Sequence, residues 1–352
     1  VRHQVTEIPP LAAEVTEHRL HRGRCRSCGK EVLAPLPPGV PGGAFAPRIQ
    51  AMVVALTGVY RLSRREVPRL LRDAFDVKMG LGSVANAEAR ISRALADAHA
   101  QALSAVQSSP VLHVDETPWR LKGTMPWLWT ATSEEVTAYR VDERRSFEAL
   151  KRLIGESFAG RVVSDRMGAY DKLPIEKRQL CWSHLDRDFK ALAEGVPGEQ
   201  DFGRRAVRLS KAILRGWRRF DEHADRARLA DELRPHWEKL IDLLVEGADS
   251  DEKRVRCRGV CSTARRRSRP SPSTTASIPR TTPPREVCAR PCSGGRAASD
   301  RRALAGCRFV ERILTVATTL RQQGRNVFDY LVDVANAPLT GVPPPALVPI
   351  RA

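Results

Sequence analysis

Apolar positions along the chain change their period three times. From Phe45 to Val106 they recur at helical spacing. Ile49, Met52, Val53 and Leu56 share one face, and Val67, Leu70, Leu71 and Phe75 form an inward face on a second helix. Ser63-Arg-Arg-Glu66 reads as the capping box that opens this second helix. Gly80 and Gly82 interrupt the pattern, and a third helix is expected from about Ser83. At Pro110 the period shortens. Val111–Asp115 predicts a short strand ending in an acid, and Trp127–Thr132 and Val136–Val141 predict a hairpin split by Ser133-Glu134-Glu135. A helix follows from Ser146 to Ile154, with Phe147, Leu150 and Leu153 on one side and Gly155 as its stop. Arg161–Asp165 is a fourth strand, again ending in an acid, with a short, weakly marked helix after it. Gln179–Trp182 is a fifth, followed by a helix from His184 to about Glu194.

That element order, β-β-β-α-β-α-β-α, belongs to a ribonuclease-H-like mixed sheet, so the expected fold class is α/β of the mixed α+β kind. From Phe202 to Glu246 the helical period returns. Leu209, Ile213, Trp217 and Phe220 form one stripe, and Leu229, Leu233, Trp237 and Leu240 another; both read as packing faces without chemistry. Phe309, Ile313, Val316, Ala317 and Leu320 mark a last amphipathic helix. Gly324 ends it, Asn326 caps another, and the tail from Pro338 is proline-rich. The organisation expected is a partial zinc-finger-like segment (1–31), a linker (32–44), a helical, helix-turn-helix-like DNA-binding region (45–109), a ribonuclease-H-like core (110–200), a helical insertion (201–254), an out-of-frame, irregular and disordered segment (255–307), C-terminal helices (308–337) and a tail (338–352).

Composition qualifies this picture. With 59 Lys+Arg against 41 Asp+Glu, the net charge is +18, which points to a polyanionic partner, nucleic acid by default. Residues 255–307 hold 12 Arg, no Lys and only Glu286 and Asp300 as acids, so +10 of that charge sits in one window and +8 in the remainder. The same window holds five of the eight cysteines, yet nothing else suggests an oxidising compartment. With 42% hydrophobic and 28% charged residues, the chain is expected to fold and to be soluble. No apolar run approaches the roughly 18 residues of a membrane span, and there is no basic-then-apolar leader. A cytoplasmic protein is expected. The chain starts mid-pattern at Val1, so a preceding piece is expected as well.

Three constellations carry candidate chemistry. Cys25-x-x-Cys28-Gly29 is half of a zinc knuckle, and a closed zinc site needs two further ligands. Arg61, Arg64, Arg65, Arg69 and Arg72 lie around two short helices joined by a Gly turn and are available to the phosphates of duplex DNA; a solvated face is the plainer reading of the same arginines. Asp115 and Asp165 each end a predicted strand. In a βββαβ unit the first and fourth strands are parallel neighbours, so both acids project from one edge. Carboxylates so placed repel unless a cation lies between them, and hard oxygen ligands suit Mg²⁺ or Mn²⁺. Each aspartate alone would more often cap a turn.

The run His113-Val-Asp115-Glu-Thr117-x-Trp119, then Trp127-Leu-Trp129, Ser164-Asp165-Arg166-x-x-Ala-Tyr170 and Gln179-Leu-Cys181-Trp-Ser-His184-Leu-x-Arg187-x-Phe189 strongly resembles the bacterial insertion-sequence-66 family of transposases. Phe309-Val-Glu-Arg-Ile-Leu-Thr-Val and Leu320-Arg-Gln-Gln-Gly-Arg-Asn-Val match that family's carboxyl end. The resemblance implies a zinc-finger and helix-turn-helix front end and a ribonuclease-H-like domain with a DDE triad and a helical insertion. It also implies DNA strand cleavage and transfer at insertion-sequence ends with Mg²⁺ or Mn²⁺, a bacterial, nucleoid-associated location, and a possible homo-oligomer on DNA. Asp115 and Asp165 match the first two acids of the triad. Cys181 and His184 match a Cys-x-x-His signature, for which a buried strand-end Cys and a hydrogen-bonded His are the plainer reading.

The family's third acid sits in an Asn-Asn-x-x-Glu-Arg-x-Leu-Arg-Pro motif, and residues 255–307 stand in its place. They contain no aromatic residue and one Leu, Leu304, so no core can be built from them. Their composition suits GC-rich DNA translated out of frame. Reading the last base of each codon with the first two of the next, from Pro279–Arg280 to Gly295–Arg296, permits Thr-Asn-Asn-Ala-Ala-Glu-Arg-Gly-Leu-Arg-Pro-Ala-Val-Leu-Trp-Arg-Lys. The lost Glu falls on the Pro284–Arg285 boundary, which makes Glu286 a poor substitute, and the native frame returns near Cys307. The expected protein is a transposase inactivated by loss of its third acid; a catalytically dead DNA-binding remnant and a sequencing error are the rivals. Were the chain active, Glu311 would be the first candidate for the third acid.

Overall fold

The computed structural model describes residues 2–120, 125–218, 226–249 and 300–348. A small hairpin, β1 (Arg22–Arg24) and β2 (Glu31–Leu33), precedes four helices: α1 (Pro47–Val54, continued by a wider turn, Ala55–Val59), α2 (Glu66–Phe75), α3 (Leu81–Ala94) and α4 (Ala96–Gln107). The capping box forms as expected: Ser63 N–H donates to the Glu66 carboxylate at 2.8 Å, and Glu66 N–H to Ser63 Oγ at 3.2 Å. Val67 and Leu71 are buried, but Leu70 lies on the solvent side, 37% exposed, because the inward row runs in steps of four, through Val67, Leu71 and the part-buried Phe75.

The central sheet has five strands, β3 (Val111–Pro118), β4 (Trp127–Thr132), β5 (Thr137–Asp142), β6 (Arg161–Ser164) and β7 (Arg178–Leu180), in the order β5-β4-β3-β6-β7. β3, β4 and β5 form an antiparallel meander, while β3, β6 and β7 run parallel. Helix α5 (Phe147–Ile154), capped by Ser146 and ended by Gly155 at φ +91, supplies the crossover from β5 to β6. The fold is mixed α+β. β3 does not end at Asp115 as expected: β4 pairs with it out to Pro118, whereas pairing with β6 reaches only His113. The helix expected after β6 is two 3-10 turns, Gly168–Lys172 and Ile175–Lys177. β7 is shorter than read, and α6 (Trp182–Ala193) starts two residues early, since Cys181 caps it.

α6 continues into α7 (Pro197–Arg218) and α8 (Arg226–Asp249), which share a core of their own built on Phe189, Phe202, Ile213, Leu233 and Leu243. Phe220, expected in the α7 stripe, lies outside the described residues. The main core joins α1, α3, α4 and α5 to the sheet through Ile91, Leu112, Trp129 and Leu150, and is closed by α9 (Asp300–Gln322) and α10 (Val327–Thr340). α9 starts inside the segment read as irregular, and Cys307 is buried; the remainder of that segment lies outside the described residues. The tail also starts later than read, because Pro338 stands in the last turn of α10, whose Asn326 cap is as expected.

α9 covers the open edge of β5. Thr319 Oγ1 accepts from Thr137 N–H at 3.1 Å and donates to its carbonyl at 3.0 Å. Thr315 Oγ1 accepts from Tyr139 N–H at 3.0 Å, and Glu311 Oε1 from Val141 N–H at 2.8 Å. Four helical residues rise about 6 Å and two strand residues about 6.6 Å, so an i, i+4 row of side chains keeps step with alternate strand N–H groups. An edge that could pair with another chain is thereby closed.

Candidate active site at the carboxyl edge of the sheet

β3 and β6 pair at a constant offset: Val111 with Arg161, Leu112 with Val162, His113 with Val163. Continued two residues along, that register sets Asp115 level with Asp165. Asp165 Oδ1 accepts from Met167 N–H at 2.9 Å, while its Oδ2 lies 3.5 Å from the Arg145 guanidinium. Asp115 Oδ1 accepts from Glu116 N–H at 3.0 Å. Asp115 is exposed as a residue, with protein packed about its carboxyl. That burial holds its carboxyl above the usual value, and the charge of Asp165 pushes the same way; His184, the Glu116 N–H and Arg145 oppose them.

Strand alternation sends Leu112, Val114 and Glu116 to the core side of β3. A buried carboxylate there needs partners. Arg145, in the loop before α5, donates through Nε to Glu116 Oε1 at 2.8 Å, and the Tyr170 hydroxyl donates to Oε2. Burial raises the Glu116 pKa above its usual value even so, and burial together with Glu116 pushes the Tyr170 phenol well above its ordinary range. Arg145 lies over the Trp127 ring at 4.8 Å and joins Glu116 to Asp165. Arg178, its side chain buried, donates to the Asp165 carbonyl at 2.9 Å and pairs with Asp171. Sequence reasoning gave no role to Glu116, Arg145, Tyr170 or Arg178. An available signal was Glu116 itself, a charged residue at an apolar position of an alternating strand.

Cys181 and His184 reach the same edge. Cys181 N–H donates to the Ser164 carbonyl at 2.8 Å, next to Asp165, and His184 stands one turn into α6. A hydrogen bond with Cys181 raises the His184 pKa against the effect of burial, and Asp115 adds to the rise. Burial would raise the Cys181 thiol, but its hydrogen bonds with His184 outweigh it and the net shift is downward. His184 Nδ1 is buried without a hydrogen-bond partner among the described residues.

Among the described residues no group of three or more His, Cys, Asp or Glu side chains stands close enough to hold a metal ion. Asp115 and Asp165 offer hard oxygen donors at one level, which fits a single divalent cation sharing its shell with water. Glu116 is committed to Tyr170 and Arg145. Glu311, the conditional third acid, stands against the outer strand β5, two strands away from β3: it is 1% exposed and its carboxylate is committed to Val141 N–H and Arg308. Glu286 lies outside the described residues.

The remaining candidates fall elsewhere. Cys25 and Cys28 sit in the β1–β2 turn, where Cys25 N–H donates to the Lys30 carbonyl at 2.8 Å and Gly29 adopts φ +69. Both thiols are exposed, and hydrogen bonds from Cys28 and Ser27 lower the Cys25 pKa to about 7. Arg65, Arg69 and Arg72 are exposed on or beside α2, and Arg64 pairs with the buried Glu88. Arg61 precedes the helix at φ 65, its guanidinium 5.9 Å from the Trp119 ring, so it stands apart from the other four. Among the described residues no helix is long and apolar enough to cross a membrane.

Comparison with protein families matches the model described as Transposase IS66 family over residues 42–252, a span that runs from the helices before the sheet through α8. A search of curated proteins finds no match.

Proposed function

The chain belongs to the Transposase IS66 family, and from that premise we propose that its carboxyl-edge site is the remnant of a DDE centre for DNA strand cleavage and transfer at insertion-sequence ends, with little or no activity left. The observation that carries this reading is the pairing of β3 with β6, which supports Asp115 and Asp165 as a matched pair of carboxylates. The 3-2-1-4-5 order of the five strands supports a ribonuclease-H-like core, with α7 and α8 as its helical insertion. Bound Mg²⁺ or Mn²⁺ would supply activation of a water or 3′-hydroxyl and stabilisation of the leaving oxygen. Asp115 and Asp165 would hold the cation. Arg145 bridges Asp165 and Glu116, and Arg178 fixes the Asp165 backbone. His184, raised in pKa beside Asp115, partly offsets the negative charge of the edge. A third carboxylate belongs to the segment 255–299, where the reading-frame argument puts the lost Glu at the Pro284–Arg285 boundary.

Full-length protein incubated with supercoiled plasmid carrying the element's own ends, with Mg²⁺ or Mn²⁺, should give no nicking. Restoring Asn-Asn-Ala-Ala-Glu-Arg in place of Thr281–Glu286, together with the surrounding frame, should bring nicking back, and Asp115→Ala should remove it again. Nicking by the unrepaired chain that Asp115→Ala abolishes would overturn the loss of function. The rival, a DNA-binding remnant, draws on the exposed Arg65, Arg69 and Arg72 and on the net charge of +18. It gains if the repaired chain binds duplex DNA but never cleaves it. Cys25 and Cys28 would supply half of a zinc site in that front end.

A further inference from the structure

Helix α7 carries a row of cations that the candidate site does not use. Arg204, Arg208, Lys211, Arg215 and Arg218 are all exposed. At 3.6 residues per turn their spacing confines them to an arc of about 80°. The buried residues Phe202, Ala206, Ser210 and Ile213 lie on the opposite side of the helix. No acidic residue occurs between Arg204 and Arg218. The carboxylates nearby meet Arg205, on the flank, which pairs with Asp201 and Glu246. Arg208, Lys211, Arg215 and Arg218 have no carboxylate partner among the described residues.

Like charges three and four residues apart destabilise a helix, so this row opposes folding. An ordinary solvated face mixes its signs, as α8 does with Arg228, Asp231, Glu232, Arg234, Glu238 and Lys239. A surface that faces a polyanion has no use for acids. The row is about 21 Å long, a distance over which duplex DNA presents about a dozen phosphates. Its position also fits. A Cβ on Gly203 would lie 2.1 Å from the Ala193 backbone nitrogen, so the start of α7 presses on the end of α6. α7 then runs back along α6, and roughly eleven residues on, near Arg215, it comes level with Trp182. That end of α6 is tied through Cys181 to Ser164, beside Asp165.

We propose that the Arg204–Arg218 row is a phosphate-contact surface that holds duplex DNA along α7, towards the carboxyl edge of the sheet. The proposal rests on the DNA-binding reading above and assigns it a surface. Phosphate contacts position a duplex without reading its sequence, so any duplex serves as probe. Full-length protein is titrated with a labelled duplex of arbitrary sequence over a range of salt. Each phosphate contact contributes about 0.9 to the slope of log affinity against log salt, so R208Q/K211Q/R215Q/R218Q should lower that slope by roughly three to four. R208K/R215K/R218K should keep it. If the quadruple variant does not fold, R208Q and R215Q singly should each lower the slope by about one. No salt-dependent binding by the wild type would overturn the DNA-binding reading itself. Binding with an unchanged slope in the Gln variants would overturn the α7 surface alone. So would a loss confined to single-stranded RNA or phosphatidylserine vesicles, which would give the row a different polyanion.

Discussion

Two zones of the central sheet bury polar groups, and they do it differently. Along the outer edge, Glu311, Thr315 and Thr319 of α9 each accept one N–H of β5, and all three are at most 1% exposed. At the carboxyl edge, Asp115 is held above its usual pKa by burial and by Asp165, one arginine serves Glu116 and Asp165 together, and buried nitrogens of His184, Arg178 and Trp129 have no partner among the described residues. Both zones contain acids, and only the second leaves its groups unsatisfied. Buried polar groups that are fully paired specify packing, whereas those left short are costly to folding and belong where a ligand completes them. On this contrast the outer edge serves stability and the carboxyl edge is where the proposed chemistry would sit, and each can be tested by removing an acid.

The largest effect is expected at the outer edge. Glu311→Leu removes the acceptor of Val141 N–H and the partner of Arg308, inside a packed interface. A buried donor left without its charged acceptor costs about 2–3 kcal/mol, so urea unfolding should shift to a clearly lower midpoint. A variant as stable as the wild type would show that water reaches β5 and that the edge is not closed. Next comes Thr315→Val, a near-isosteric change that strips one acceptor from Tyr139 N–H. It should cost about 1–2 kcal/mol. In hydrogen exchange, the Tyr139 amide should lose protection more than Leu128, whose partners in the sheet are untouched.

How far each zone was legible follows from the range of its contacts. β4 was read to the residue because alternation is local, and the Ser63–Glu66 capping box because its two hydrogen bonds span three residues. The parallel pairing of the strands that carry Asp115 and Asp165 was legible because element order decides which strands become neighbours. Arg145 was not: it sits in a charged loop that looks solvated, and its partner Glu116 is 29 residues away. Tyr170 meets Glu116 across 54 residues, and the α9 row meets β5 across 170 to 182. Such pairings leave no period in the chain. The α7 row is the opposite case: its cations recur at helical spacing and stand in the sequence, but only the apolar stripe on the other side of the helix was read.

The smallest effect has the opposite sign and bears most directly on the carboxyl edge. Asp115 has its pKa raised above 3.8, first by burial and then by Asp165, so the folded state holds a proton there more readily than the unfolded chain does. Stability from such a group is fully present below the unfolded pKa and is lost as pH rises through the folded one. At neutral pH the ionised carboxyl therefore costs stability, and Asp115→Asn removes the cost. Because Asp115 is an exposed residue, screening by water limits the gain to about a few tenths of a kcal/mol. The urea midpoint of Asp115→Asn should lie slightly above the wild type at about pH 7 and approach it as pH falls towards 4. Millimolar Mg²⁺ should narrow or reverse the gap, since a ligand stabilises only the form that binds it. An Asp115→Asn protein less stable than the wild type at neutral pH without divalent cations would mean that this acid, like Glu311, is settled in its place. The contrast between the two zones would then fail.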